Sequence, residues 1–302
     1  DELGIGQIRD AFADRMFPGT STIQTRARYF FFLSWIYQTL ATVPSATPAA
    51  NRARDMQNQL VKSLKAGGEQ ELAGVIGYNA GDALKRLPAA VYWNGLRRLG
   101  FRLVDASTEQ YHAQIDRRSA GSRRRAVRSE SEELLELERP DWFPSLPEPS
   151  VSWLQATNFD LTAKEAAVFS ERIQFMAPDT ILAEWLMGTV TGSSQSGSVW
   201  ELDGLDRLSP ELHRVVLDAE IFSLVMHGAA LTYNLLMARK AIELGMTRGD
   251  AWRQTYTDAL GRWAAEMRSK GDALTDLDWT RYWARIREMH PRVSPGAVLF
   301  CD

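Results

Sequence analysis

The chain has 302 residues, 45% hydrophobic and 24% charged, an ordinary globular composition that argues against disorder and allows one large domain or two smaller ones. Its 35 basic and 38 acidic residues leave a formal net charge of -3, so no global field draws in nucleic acid or an acidic membrane, and any such binding is local. A single cysteine, Cys301, excludes an internal disulfide and a Cys-x-x-Cys zinc ribbon, and it fits a reducing, cytoplasmic compartment.

Pro18-Gly19 followed by Ser21-Thr22-Ile23-Gln24 predicts a turn into a helix opened by a capping box, running from about Thr22 to Thr42 and stopping before Pro44. A helix after Gly81, a break at Pro88 and a second helix from Ala89 to Leu99 give helix-turn-helix spacing over residues 77–100. Gly100 to Val104 has the look of a short strand, as does Ala297 to Phe300. Ser107-Thr108-Glu109-Gln110 is a second capping box. Arg117 to Glu138 reads as a linker that begins basic and turns acidic through Glu130, Glu132, Glu133, Glu136 and Glu138. Pro140, Pro144, Pro147 and Pro149 then forbid a continuous helix. The expected organisation is a helical domain over 1–139, a Pro-rich linker over 140–152 and a second helical domain over 153–302.

In that second half, Thr162-Ala163-Lys164-Glu165 is a third capping box, and Gly188 to Ser198 is a Gly- and Ser-rich loop. Ser209-Pro210-Glu211 opens a helix that continues to about Leu244, with Gly245 as its stop. Inside it, Ile221 to Ala238 approaches membrane-span composition, yet Ser223, His227, Thr232 and Asn234 favour a buried core helix. The small run His227-Gly228-Ala229-Ala230 marks a place where another helix approaches closely. Thr247 caps a further helix through about Ser269, with Asp250 near its positive end, and a last helix spans about Asp276 to Met289, before Pro291. The class is mostly α, with multi-helix domains and at most short β-strands. A chain that starts at Asp1 without Met and stops at Asp302 reads as a fragment.

Three basic groups are candidate phosphate or nucleic-acid contacts. Arg26 and Arg28 lie in the first turns expected beside Thr20, Ser21 and Thr25, where a helix N-terminus offers an anion site; the alternative is pairing with carboxylates of neighbouring helices. Lys85, Arg86, Arg97 and Arg98 charge the helix-turn-helix-like segment, whose Tyr92, Trp93 and Asn94 either meet bases or fill core. Arg117, Arg118, Arg123, Arg124, Arg125 and Arg128 form the most basic stretch, which either contacts phosphates or folds against the acidic run behind it. No catalytic set emerges: His112, His213, His227 and His290 are scattered without metal-ligand spacing, and Glu220 with His227 reads as a core polar pair. There is no Gly-x-x-x-x-Gly-Lys-Ser/Thr and no Gly-x-Ser-x-Gly, and no cofactor is implied.

The segments from Asp1 to Asp14 and from Phe17 to Tyr29, with Arg86-Leu87-Pro88 and Tyr92 to Leu96, resemble a bacterial family of unknown function. That family is similar to proteins encoded beside helicase and nuclease genes in mobile or anti-phage defence loci. The resemblance implies a non-enzymatic helical subunit of a defence complex, contacting DNA, a helicase or nuclease partner, or both, and not a membrane. The rival expectations are an enzyme, a nuclease or nucleotide hydrolase whose carboxylates are assembled by the fold, and a toxin-neutralising or sensor protein.

Overall fold

A computed structural model of the chain describes residues 5–20, 23–67, 74–78, 86–128, 140–192, 196–271, 278–291 and 293, with side chains described up to residue 122 in the helix that ends at residue 128. Ten α-helices occur among them: α1 (Ile5–Met16), α2 (Tyr29–Thr42), α3 (Ala49–Ala66), α4 (Pro88–Arg98), α5 (Thr108–Arg128), α6 (Ala163–Met176), α7 (Ile181–Leu186), α8 (Pro210–Glu243), α9 (Gly249–Ser269) and α10 (Trp279–Met289). No strand is present among the described residues, and the class is mostly α as expected. Gly100 to Val104 makes a single antiparallel bridge, Arg102 with Trp142, in place of a strand. The stretch Ala297 to Phe300 lies outside the described residues.

The chain divides into two compact units, one from Phe17 to Leu186 and one joining Asp1–Met16 to Met187–Asp302. This division does not follow the break expected near residue 140. Residues 140–152 belong to the first unit because Trp142 is buried there, its indole N–H donating to the Tyr111 hydroxyl at 2.8 Å. The basic half of the expected linker is instead the end of α5, and the acidic half falls outside the described residues.

The Phe17–Leu186 unit is built around α2. Tyr29 through Tyr37 and Leu40 are all buried, so this helix is apolar on every side and central. Its aromatic rings interlock with those of neighbouring segments: Phe31 meets Phe101 edge-on at 5.3 Å, and Phe32 stacks on Trp153 at 5.9 Å. The helix starts at Tyr29, later than expected. Gln24 donates its side-chain amide to the Val91 carbonyl at 3.0 Å, and the Tyr92 hydroxyl accepts from the Arg26 amide and donates to the Arg26 carbonyl. The Tyr92 hydroxyl thus satisfies both backbone groups of Arg26, and the Gln24 side chain ties the segment to α4, in place of a helical turn there. Ser21 and Thr22 lie outside the described residues.

In the other unit, α8 packs along α9 and against α1, which also meets α10. Phe12 of α1 touches Phe222 of α8 and Tyr282 of α10, with ring centroids 5.9 and 6.4 Å apart. The close approach expected at the small run is real: a Cβ on Gly228 would lie 2.3 Å from the Trp263 ring of α9, whose indole N–H donates to the Leu224 carbonyl at 2.8 Å. The start of α8 is capped by the Ser209 hydroxyl with Pro210 at its first position. It ends in a Schellman turn, where Gly245 adopts φ 70° and Met246 donates to the Ala241 carbonyl at 3.0 Å. Thr247 is not the cap of α9, which begins at Gly249 after Arg248, and α10 begins at Trp279 under an Asp278 cap.

Candidate functional site

Arg28 enters α2 from a segment that α4 holds in place, and its guanidinium turns inward. It donates to Glu165 at 3.1 Å and to the Asn158 carbonyl and side-chain oxygen at 3.0 and 2.8 Å, and it lies over the Phe32 ring. Glu165 is held in turn by the capping box at the start of α6, where its carboxylate accepts from the Thr162 amide at 2.8 Å. Arg26 lies over the Phe159 ring at 5.0 Å. The structure thus gives Arg28 the carboxylate partner that competed with an anion site; the helix N-terminus lies at Arg28 itself, with α2 beginning at Tyr29 and no side-chain cap, rather than ahead of both arginines. A cavity of about 410 Å³ does open beside Arg28, lined also by Ser63, Gln155, Thr157 and Asn158, and the buried Arg28 Nε has no hydrogen-bond partner among the described residues.

The helix-turn-helix-like segment is seen in part. Its second helix is α4, with Pro88 at the first position; the helix expected after Gly81, and Lys85 with it, lie outside the described residues. Tyr92 and Trp93 are buried in the core, with the Trp93 indole donating to the Ala106 carbonyl at 2.9 Å, so neither meets a base. Arg86 and Arg98 are exposed and Arg97 is half-buried. The last two sit in the final turn of α4, where positive charge complements the helix dipole.

Arg117, Arg118, Arg123, Arg124, Arg125 and Arg128 share α5. At 100° per residue, positions 117, 124 and 128 share one side, positions 118 and 125 lie beside them, and position 123 is set apart. Arg117 is exposed, whereas Arg118 pairs with Asp141, which also accepts from the Tyr111 hydroxyl at 2.9 Å. Arg118 is therefore engaged in tying the segment after residue 140 to α5.

Sequence reasoning missed three buried charged groups, Arg102, Arg172 and Asp218. Arg102 donates to the carbonyls of Val104, Ala106 and Trp93 and lies 4.5 Å over the Trp93 ring; burial lowers its pKa. Asp218 accepts from Arg214 at 3.0 Å and from Arg285 of α10 at 2.6 Å, and burial pushes its carboxyl up from the ordinary range while both arginines pull it down. Arg102 bonds only to backbone carbonyls and so has no side-chain signal; for Asp218 the i,i+4 spacing from Arg214 is a local signal, while Arg285 comes from 67 positions away. Glu220 and His227 do not pair: Glu220 meets Lys270, and His227 is exposed. No group of three or more His, Cys, Asp or Glu suited to a metal occurs among the described residues.

The C-terminal half of α8 departs from the buried core helix expected of it. Leu212 to Leu224 includes most of the buried positions, but Tyr233, Leu236 and Met237 are exposed, and by length and composition alone the helix could cross a membrane.

A family of unknown function, DUF6361, matches residues 1–284. The chain belongs to this family. No curated protein and no solved structure matches it. Membership of DUF6361 spans both compact units, so the Arg28 cavity, the α5 arginines and the half-bare α8 all lie within the family's span.

Proposed function

We propose that this DUF6361 member is a non-enzymatic helical subunit of a bacterial anti-phage defence complex that contacts DNA along α5 and works with other protein subunits, such as a helicase or nuclease of the same locus. The observation that carries the DNA contact is the run of arginine positions on one continuous helix. A flexible basic loop would lose backbone freedom on binding; a helix already formed, with positions 117, 124 and 128 on one side, does not carry that cost. The defence assignment and the partner subunits rest on the resemblance drawn from the sequence.

Fluorescence anisotropy with a short labelled duplex tests the DNA contact. With about four phosphates neutralised, affinity falls on the order of a hundredfold between ~50 and ~200 mM salt. Replacing Arg117, Arg124 and Arg128 by Ala weakens binding across unrelated sequences and flattens the salt slope by about 3. Equal affinity in parent and variant removes α5 as the contact. Affinity capture from the native host, followed by identification of what comes with the protein, tests the complex.

A further inference from the structure

The apolar face of α8 is covered over one half and bare over the other. Val215, Ala219 and Phe222 lie on it and are buried, Phe222 against Phe12 of α1. At 100° per residue the same face continues through Ala229, Ala230, Tyr233, Leu236, Met237 and Leu244. Both alanines are exposed, and the last four are 63%, 55%, 50% and 69% exposed. Met246 and Trp252 extend the patch over the turn into α9, leaving a groove of about 350 Å³ between the helices. Monomers rarely leave a contiguous strip of this kind in water.

We propose that a second copy of the same chain occupies this face, the two α8 helices lying antiparallel across a twofold axis between Leu236 and Met237. Outward from that axis, Leu236 faces Met237 of the other copy, Tyr233 faces Lys240, Ala230 faces Glu243 and Ala229 faces Leu244. The surface is complementary to itself. The bulky Leu244 meets the smallest side chain on the strip, the Lys240 ammonium meets an aromatic ring, and no like charges stand opposite each other. Antiparallel macrodipoles favour the same arrangement, and a net charge of -3 opposes it only weakly. The exposed apolar side chains offer on the order of 600 Å² per copy, close to the ~800 Å² per partner of a stable interface. Where each unpartnered α8–α9 hairpin has two helices, the pair makes a four-helix arrangement.

Sedimentation velocity on the whole chain from ~1 to ~100 µM tests this. The expected result is a species of twice the chain mass that dissociates on dilution, with Leu236→Glu/Met237→Glu weakening association at least tenfold at unchanged far-UV circular dichroism. In a Cys301→Ser background, Ala229→Cys/Leu244→Cys should give an intermolecular disulfide under mild oxidation and Ala229→Cys alone should not, because the two copies of position 229 lie far apart on opposite sides of the axis; this reads the register without depending on the charged variant. A monomer at every concentration, a dimer untouched by the glutamates, or cross-linking of the wrong pair overturns the proposal. So does flotation of the monomer with phosphatidylcholine vesicles that the glutamates abolish, since lipid then holds the face. DNA binding by α5 is measured separately and stands or falls without reference to this dimer.

Discussion

His112 sits where burial and its own helix pull in opposite directions. Its ring stacks on Tyr37 at 5.7 Å, with Nε2 3.3 Å from the Tyr37 hydroxyl, and burial lowers its pKa while Asp116 and Glu109 raise it; the net shift is downward. The unfolded chain, with its ordinary imidazole near pH 6.5, therefore takes the proton first. The stability that a neutral His112 contributes is complete above about pH 6.5 and is lost as pH falls from there through the lower folded value. Urea midpoints measured at pH 7.5 and 5.5 should fall further in the parent than in His112→Gln; equal falls remove His112 as the cause. The arginines follow the same logic of partner against solvent. Arg28 and Arg118 are each engaged by a carboxylate, so their charge holds segments of the chain together.

Among the helices, boundaries set by side chains next to the backbone they cap were legible. The boxes at Ser107 and Thr162 both form, with Gln110 accepting from the Ser107 amide at 2.8 Å and Glu165 from the Thr162 amide at 2.8 Å. The start of α2 was not legible, because residues 24–26 bond to α4, 66 or 67 positions away. Where α8 crosses α9, the packing has no spare volume: the Trp263 ring lies over Gly228, inside the space a methyl would need. Gly228→Ala should gain helix propensity but force the helices apart, for a net loss of about 1–3 kcal/mol. Thermal unfolding checks it, and a variant as stable as the parent would show that the two helices shift at little cost.

For the molecule as a whole, the continuous buried cluster from Tyr29 to Ala183 lies inside the Phe17–Leu186 unit. A unit with its own core should fold without the rest. Residues 17–186 expressed alone should be helical by far-UV circular dichroism and unfold in one cooperative transition; a chain that binds hydrophobic dye and melts without cooperativity would refute this. The class, both ends of α4 and α8, the starts of α5 and α6, the ends of α2, α9 and α10 and the tight crossing at Gly228 could be read from residues within a turn or two of one another, since caps, prolines and glycines act on nearby backbone groups; α1, α3 and α7 were not among the expected helices. The partners of the arginines could not. Arg28 meets Asn158 and Glu165 across 130 and 137 positions, and Arg285 meets Asp218 across 67. Nor could the bare half of α8: its apolar residues continue along the helix, and whether they are core or surface depends on where α1 stops covering them.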